Sequence, residues 1–522
     1  MAYHTPIYLF LFLPLTLLIY QIIPQKKRWI VLLAAGYLFF WLISGKLLVY
    51  LIGATLFTHY IGLWLAAVKE RSREETGAER RELCKKREKR ILIFGILGLL
   101  AVLAYLKYYN FFAQNMNFLL QHMGQPGTLD ARDLLLPVGI SFYTLQAVGY
   151  LADVYWEKIP AERHLGKMAL FLGFFPQIME GPISMYTQTA DALWRGDPLK
   201  QENISGGYLR VFWGLFKKMV IADRLNILVA SVFDNYESYS GAVVAASAIA
   251  YTIQLYMEFS GCMDIIIGSG RMFGISLPEN FRQPFLSKNA AEFWRRWHIT
   301  LGAWFKTYIF YPVSVSRMVK KWNRFGRKHL GKYLTKMGVT ALCLFPVWLC
   351  NGLWHGARWS YIFYGMYYFV MLLCSAALEP VQRRFRERFR IGSDTRWWNA
   401  AQILKTWIII FAGELFFRAN GLQAGMYMFL SIFRDFSLEK LWDGTLLNLG
   451  MDAGDFMIVI AGCCVTGIIG ILKEKNVVSG VRIRQMKMPA RWGIYYALIL
   501  AVVIFGSYGA GYQQVDLIYA KF

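Results

Sequence analysis

Two histidines stand where an imidazole could do chemistry. His355 lies in Asn351-Gly-Leu-Trp-His355-Gly-Ala-Arg-Trp359, at the end of one strong apolar run and just before another. Glycines on either side allow close backbone approach, and tryptophans wall the position. In apolar surroundings the charged form of an imidazole is disfavoured, so the ring stays neutral and can accept a proton. A neutral base beside a hydroxyl nucleophile is what acyl transfer from a thioester requires. The competing reading, a helix-end histidine that only hydrogen-bonds, weighs equally on these residues alone. His298 lies in Glu292-Phe-Trp-Arg-Arg-Trp-His298-Ile-Thr300. Read as a helix, this segment is amphipathic, with aromatics and cations interleaved. Arg295 and Arg296 either hold an anionic donor or anchor the helix at lipid headgroups, and the segment alone favours anchoring.

The remaining histidines carry less. His4, His122, His164 and His329 fall in loops or at ends, and His59 reads as a packing histidine in an apolar span. The seven cysteines lack paired metal-ligand spacing and read as small buried residues, with no disulfide framework. Gly268-Ser-Gly270-Arg-Met-Phe-Gly274 lacks the Lys-Ser/Thr ending of a phosphate loop. No nucleophile elbow stands in a credible setting, and no metal cluster is evident.

The elements that must position these residues are membrane helices. Of the 522 residues, 56% are hydrophobic and 17% aromatic, gathered in long apolar runs with short charged breaks. A helix needs about 20 apolar residues to cross the hydrocarbon core. Such runs occur at about 6–24, 29–44, 47–68 and 91–108, and again at about 337–354, 358–378, 402–418, 455–472 and 493–511. The first of them has no preceding basic region and reads as a retained span. The chain reads as all-α, one membrane domain over 1–522, with about 11–12 spans, short or re-entrant helices and a central funnel. The net charge of +24 comes from clusters between apolar runs, so the positive-inside rule explains it and nucleic acid is excluded as the partner. Lys69–Arg90, with ten basic and six acidic residues, reads as a cytoplasmic helical hairpin arm or loop. Arg317–Lys336, Arg383–Arg396 and Lys473–Arg491 are also basic and are placed inside. Asp435–Asp455, with five acids and Lys440 as its one base, is placed outside.

The stretch from about 109 to 316 is broken by glycine and proline. It also holds Gln146, Asp153, Gln177, Glu180, Gln254, Glu258 and Asp264 at apparent membrane depth. Polar backbone and side chains are tolerated there only when buried in protein or lining a wet cavity. Half-helices around a funnel are therefore expected, with no bundle of straight spans.

A series of segments in order carries a resemblance. They are Leu136-Pro-Val-Gly-Ile-Ser-Phe-Tyr-Thr144, Phe174-Phe-Pro-Gln177 with Gly181-Pro-Ile183, and Gly214-Leu-Phe-Lys-Lys218 with Ala222-Asp223. Then come Phe259-Ser-Gly261 with Asp264, Gly270-Arg-Met-Phe-Gly274, Pro278-Glu-Asn-Phe281, Glu292–His298, Gly352-Leu-Trp-His-Gly-Ala357 and Phe416-Phe-Arg-Ala419. Over roughly 130–420 the chain resembles the membrane-bound O-acyltransferase family, in the bacterial branch of the alginate O-acetylation membrane protein and, more distantly, the D-alanyl-lipoteichoic acid transferase.

The resemblance implies a multi-pass plasma-membrane enzyme of bacterial type that carries an acyl group from a cytoplasmic donor through a funnel to an extracytoplasmic acceptor. His355 becomes the catalytic histidine and His298 the second functional one. Trp354, Gly352, Gly356, Asn351, Trp297, Arg295 and Arg296 become candidates to bind substrate or line the passage. The donor is an acyl thioester such as acetyl-CoA, with no bound cofactor or metal. The acceptor is a cell-envelope polysaccharide, reached with a partner extracytoplasmic acyltransferase. D-alanyl transfer from a carrier protein to teichoic acid is the alternative, and a transporter is the alternative of another class. The chain departs from the branch at Tyr311-Pro-Val-Ser-Val-Ser-Arg317, at Glu180 and Glu414, and at the ending Ile518-Tyr-Ala-Lys-Phe522, which leaves the acceptor polymer open.

Overall fold

The computed structural model describes residues 2–392, 395–478 and 480–508. The ending Ile518–Phe522 and the last part of the expected span 493–511 lie outside these residues. The described residues are helical, with one isolated bridge, Phe281 to Trp297, as their β-type pairing. Eight stretches are long and apolar enough to cross a membrane, and Ile7–Ile22 is a shorter apolar helix. The first stretch, Gln25–Glu74, contains two helices, α1 (Arg28–Ser44) and α2 (Leu48–Glu74). The expected N-terminal spans thus fall on helices, as do the five from residue 337 onward.

Lys69–Arg90 forms a hairpin. The helix α2 ends at Glu74, and α3 (Ala78–His122) begins four residues later. At about 1.5 Å per residue, the 45 residues of α3 make a rod of about 68 Å, more than twice the hydrocarbon thickness. Its charged first turns must therefore project beyond the membrane.

Contacts divide the described residues into two compact units. One takes in residues up to Val211 with Ile265–Pro278, and the other takes in Phe212–Asp264 with the described residues from Glu279 onward. Within the first, the polar residues at membrane depth bond to their neighbours. Gln146 donates to the Ser184 carbonyl at 3.4 Å, Ser184 donates to Gln177 at 3.2 Å, and Lys158 pairs with Asp153 at 3.2 Å.

The middle of the chain breaks at the Gly/Pro clusters of 136–139 and 174–185, but not at every glycine. The helix α4 (Gly241–Met272) runs unbroken for 32 residues through Gly261, Gly268 and Gly270. Two of these glycines are sites of backbone approach. A Cβ on Gly261 would lie 2.8 Å from the Gly214 carbonyl oxygen, and one on Gly268 would lie 2.8 Å from that of Gly207. Missing side chains here let helices touch without breaking them.

The second unit also pairs its buried charges. Lys217 reaches Asp264 at 2.6 Å, and the fully buried Lys218 reaches Asp223 at 2.6 Å and Glu258 at 3.4 Å. A buried ion pair offsets its desolvation only through close geometry and further hydrogen bonds, and Ser260 adds one to Lys217 at 3.0 Å. Gln254 donates to Asn226 at 2.9 Å. These groups serve helix packing and do not line the pocket described below.

The remaining elements of this unit carry the histidines. They are α5 (Ala290–Arg296), α6 (Ile299–Phe305), α7 (Gly331–His355), α8 (Trp359–Arg388) and α9 (Arg396–Arg418), followed by α10 (Ala453–Glu474) and α11 (Met488–Phe505). The alternation of charged connections between them predicts a definite topology. Single cysteines placed in 69–90, 317–336, 383–396 or 473–491, in a cysteine-free background, should react with an impermeant reagent only from the cytoplasmic side. One placed in 435–455 should react only from outside, and labelling of that loop from the cytoplasm alone would overturn the arrangement.

Candidate active site

Helix α7 reaches its last residue at His355, where Gly356 takes an extended conformation and ends the helical run. Three residues later α8 begins, so His355 sits at the tip of a helical hairpin. With 3.6 residues per turn, Val347, Trp348, Asn351 and His355 share one face of α7. That face lines a small pocket of about 70 Å³. Trp294, Trp297, His298, Leu301, Gly302 and Phe305 complete the lining. The two histidines therefore converge on one cavity. Both are buried, and the Trp354 ring lies edge-on between them, 5.6 Å from His298 and 5.0 Å from His355.

His298 is not on the continuous amphipathic helix that its sequence suggests. The chain breaks there. Helix α5 stops at Arg296, Trp297 is extended and bridges to Phe281, and His298 takes a left-handed conformation with φ 46° before α6 starts. Such a φ is uncommon outside glycine, with histidine among the enriched exceptions. The kink turns His298 inward, to an edge-on contact with Phe259 at 4.9 Å.

The other candidates divide. Asn351 and Trp297 line the pocket with the histidines. Arg295 and Arg296 do not. Arg295 is exposed, and Arg296 is held in ion pairs with Glu292 and Glu474, each at 3.0 Å. A guanidinium already paired with two carboxylates has little left to offer an anionic donor. Gly352 and Gly356 were expected beside an open passage, and they face Tyr361 of α8 instead. A Cβ on Gly352 would collide with the Tyr361 carbonyl oxygen, and one on Gly356 would lie 2.6 Å from the Tyr361 ring. Gly365 of α8 meets α7 in the same way, at the Trp348 carbonyl and the Gly352 backbone. Gly352 and Gly365 let α7 and α8 pack backbone to backbone, and Gly356 leaves room for the Tyr361 ring.

Sequence reasoning passed over Val347 and Trp348, which stand two turns before His355. It also missed Leu301, Gly302 and Phe305, at three, four and seven residues after His298. Helical spacing from each histidine was the available signal. Behind His355 lies a third missed group. Glu414 of α9 is fully buried and accepts hydrogen bonds from the hydroxyls of Tyr364 at 3.1 Å and Tyr368 at 3.5 Å. The Tyr364 ring stands edge-on to His355 at 5.8 Å. Among the described residues, no group of three or more His, Cys, Asp or Glu is placed to hold a metal ion.

An all-helical membrane protein with two buried histidines on one aromatic pocket is the class that fold and site define. The model of MBOAT, the membrane-bound O-acyltransferase family, matches residues 162–419. The probable alginate O-acetylase AlgI of Pseudomonas putida is 32% identical over 452 residues, covering 86% of this chain and 84% of its own. The peptidoglycan O-acetyltransferase of Helicobacter pylori is 30% identical over 461 residues, 82% of this chain and 78% of its own. The teichoic acid D-alanyltransferase of Bacillus subtilis is 25% identical over 291 residues, 55% of this chain and 69% of its own. The chain belongs to the membrane-bound O-acyltransferase family. It is a multi-pass membrane protein and an acyltransferase, and nothing in these relatives supports a transporter.

Proposed function

We propose that the whole chain works as one O-acyltransferase domain, moving an acetyl group from a thioester made in the cytoplasm, such as acetyl-CoA, to a hydroxyl of an extracytoplasmic envelope polysaccharide, directly or through a partner acyltransferase. The observation that carries the reading is the convergence of His298 and His355 on one buried pocket. In the proposed step His355 takes the proton of the attacking hydroxyl as its oxygen bonds to the thioester carbonyl carbon. The carbon–sulfur bond then breaks, and the proton leaves with the thiolate as a free thiol. His298, Asn351 and Trp297 hold the reacting groups against His355. Acetyl is preferred over D-alanyl because the O-acetylating relatives match over most of this chain, whereas the D-alanyl relative matches 55% of it.

The test is chemical. Envelope polymers from a strain lacking this protein and from its complemented parent are fractionated, and base-labile esters are quantified as acetate and as D-alanine. Loss of acetate from a polysaccharide fraction is the expected result. Loss of D-alanine from teichoic acid, with polysaccharide acetate unchanged, would replace this reading with the alternative.

A further inference from the structure

Asn280, in the Pro278-Glu-Asn-Phe281 segment, has had no role beyond sequence resemblance, yet most of its bonds go to His298 and the two residues that follow it. It is fully buried. Its Oδ1 accepts the backbone N–H of Thr300 at 3.1 Å and the Thr300 hydroxyl at 2.9 Å, and lies 3.2 Å from Nδ1 of His298. Its own backbone carbonyl accepts the N–H of Ile299 at 3.0 Å. Two residues on, Arg282 N–H donates to the Arg296 carbonyl at 2.9 Å, and Phe281 bridges to Trp297. The short segment 280–282 is thus a template against which 296–300 is held while His298 adopts its left-handed φ.

The orientation of the amide follows from these partners. A backbone N–H can only donate, so the Asn280 atom facing Thr300 N must be the oxygen. The amide nitrogen points the other way, 3.3 Å from Met263 Sδ, a weak acceptor. An amide oxygen can only accept, so Nδ1 of His298 must carry a hydrogen. In the neutral imidazole that leaves the lone pair on Nε2.

We propose that Asn280 is the positioning residue for His298: it fixes the Nδ1–H tautomer and the ring's orientation, so that His298 meets the acyl-transfer pocket as a proton acceptor through Nε2. The proposal rests on the reading that His298 acts in acyl transfer. Replacing Asn280 with alanine removes the acceptor that His298 and Thr300 share, and lets the ring turn and exchange tautomers. Asn280→Asp keeps an acceptor at the same place and should keep the ring in register.

The experiment is a cycle of Asn280→Ala and His298→Asn, singly and together, with Asn280→Asp as the conservative variant. Each full-length protein is purified in lipid nanodiscs, and its thermal midpoint and thiol release from acetyl-CoA are measured with acceptor polysaccharide. Polysaccharide O-acetyl content is read in cells. Asn280→Ala is expected to lower kcat on the order of 10²-fold, in the range lost with a positioned acid–base group, with KM for acetyl-CoA little changed. Asn280→Asp should recover at least a tenth of the wild-type rate. The double variant should be no slower than His298→Asn alone, because residues acting through one another are not additive. Three results overturn the proposal. The first is equal loss in Asn280→Asp and Asn280→Ala. The second is additive loss in the double variant, or a loss that follows the thermal midpoint alone, which marks a purely structural role. The third is full activity of Asn280→Ala while His298→Asn is inactive. Full activity of His298→Asn would instead overturn the role of His298 itself, and the proposal with it.

Discussion

His355→Ala is expected to abolish acyl transfer in a protein that still inserts and folds. The side chain caps the end of α7, beyond most of the helix's packing, and its ring neighbours Trp354, Tyr364 and Phe417 come from three different turns. Truncation therefore leaves a local gap beside an existing pocket and keeps the closest α7–α8 approach, which lies a turn earlier at Gly352. The chemistry has no such reserve. Loss of a positioned general base typically costs about 10²–10⁴ in rate. The substitution should thus reduce polysaccharide O-acetyl content to the level of the deletion strain, with the protein at normal abundance in the membrane fraction. His355→Gln, which keeps a polar side chain of similar length without a basic ring nitrogen, should be equally inactive. Near-normal esterification by either well-expressed variant would remove His355 from the mechanism.

The second large effect is on folding. At Gly352 both helices present backbone to each other, so neither side can yield by turning a side chain. Adding methylene groups to a packed contact commonly costs about 1–3 kcal/mol, and a clash with a main-chain carbonyl belongs at or above the upper end of that range. Gly352→Leu should be poorly abundant and should melt well below the wild type, whereas Gly352→Ala should fall between the two. Melting curves and membrane-fraction abundance decide the matter. A Gly352→Leu protein that melts like the wild type yet transfers nothing would return this glycine to the acyl passage. One that is stable and fully active would remove it from both roles.

Much of the outer scaffold was legible in the sequence because long apolar runs between basic clusters have few other solutions. Such runs locate helix axes but say little about which faces meet. His355 could be found because a histidine among glycines and tryptophans at a span end is rare in hydrocarbon. The glycines beside it were ambiguous, since a glycine that opens a passage and one that closes a helix contact leave the same mark. In the middle of the chain the Gly/Pro clusters at 136–139 and 175–182 do interrupt the helices, whereas the glycines of α4 lie where another backbone passes beside an unbroken helix. The break at His298 was invisible for the opposite reason. Its segment has good helical amphipathicity, and what overrides that is the segment 280–282, brought in by the fold. Glu414 showed only as a departure from the resembling branch, and its partners Tyr364 and Tyr368 lie about 50 positions earlier on another helix.

The left-handed turn at His298 also constrains how this protein can change over evolutionary time. A backbone with φ near 46° admits glycine, asparagine, aspartate and histidine far more readily than other residues. Of these four, histidine is the one whose proton exchanges near neutral pH. Two independent filters, one on conformation and one on proton affinity, intersect at a single residue type. Drift from histidine to asparagine or glycine meets no conformational barrier, so on the role proposed for His298 it should leave a protein that is inserted and folded but does not transfer. Descendants of this chain that have lost transfer activity should therefore carry Asn or Gly at this position more often than Ala, Leu or Val, with the surrounding fold intact.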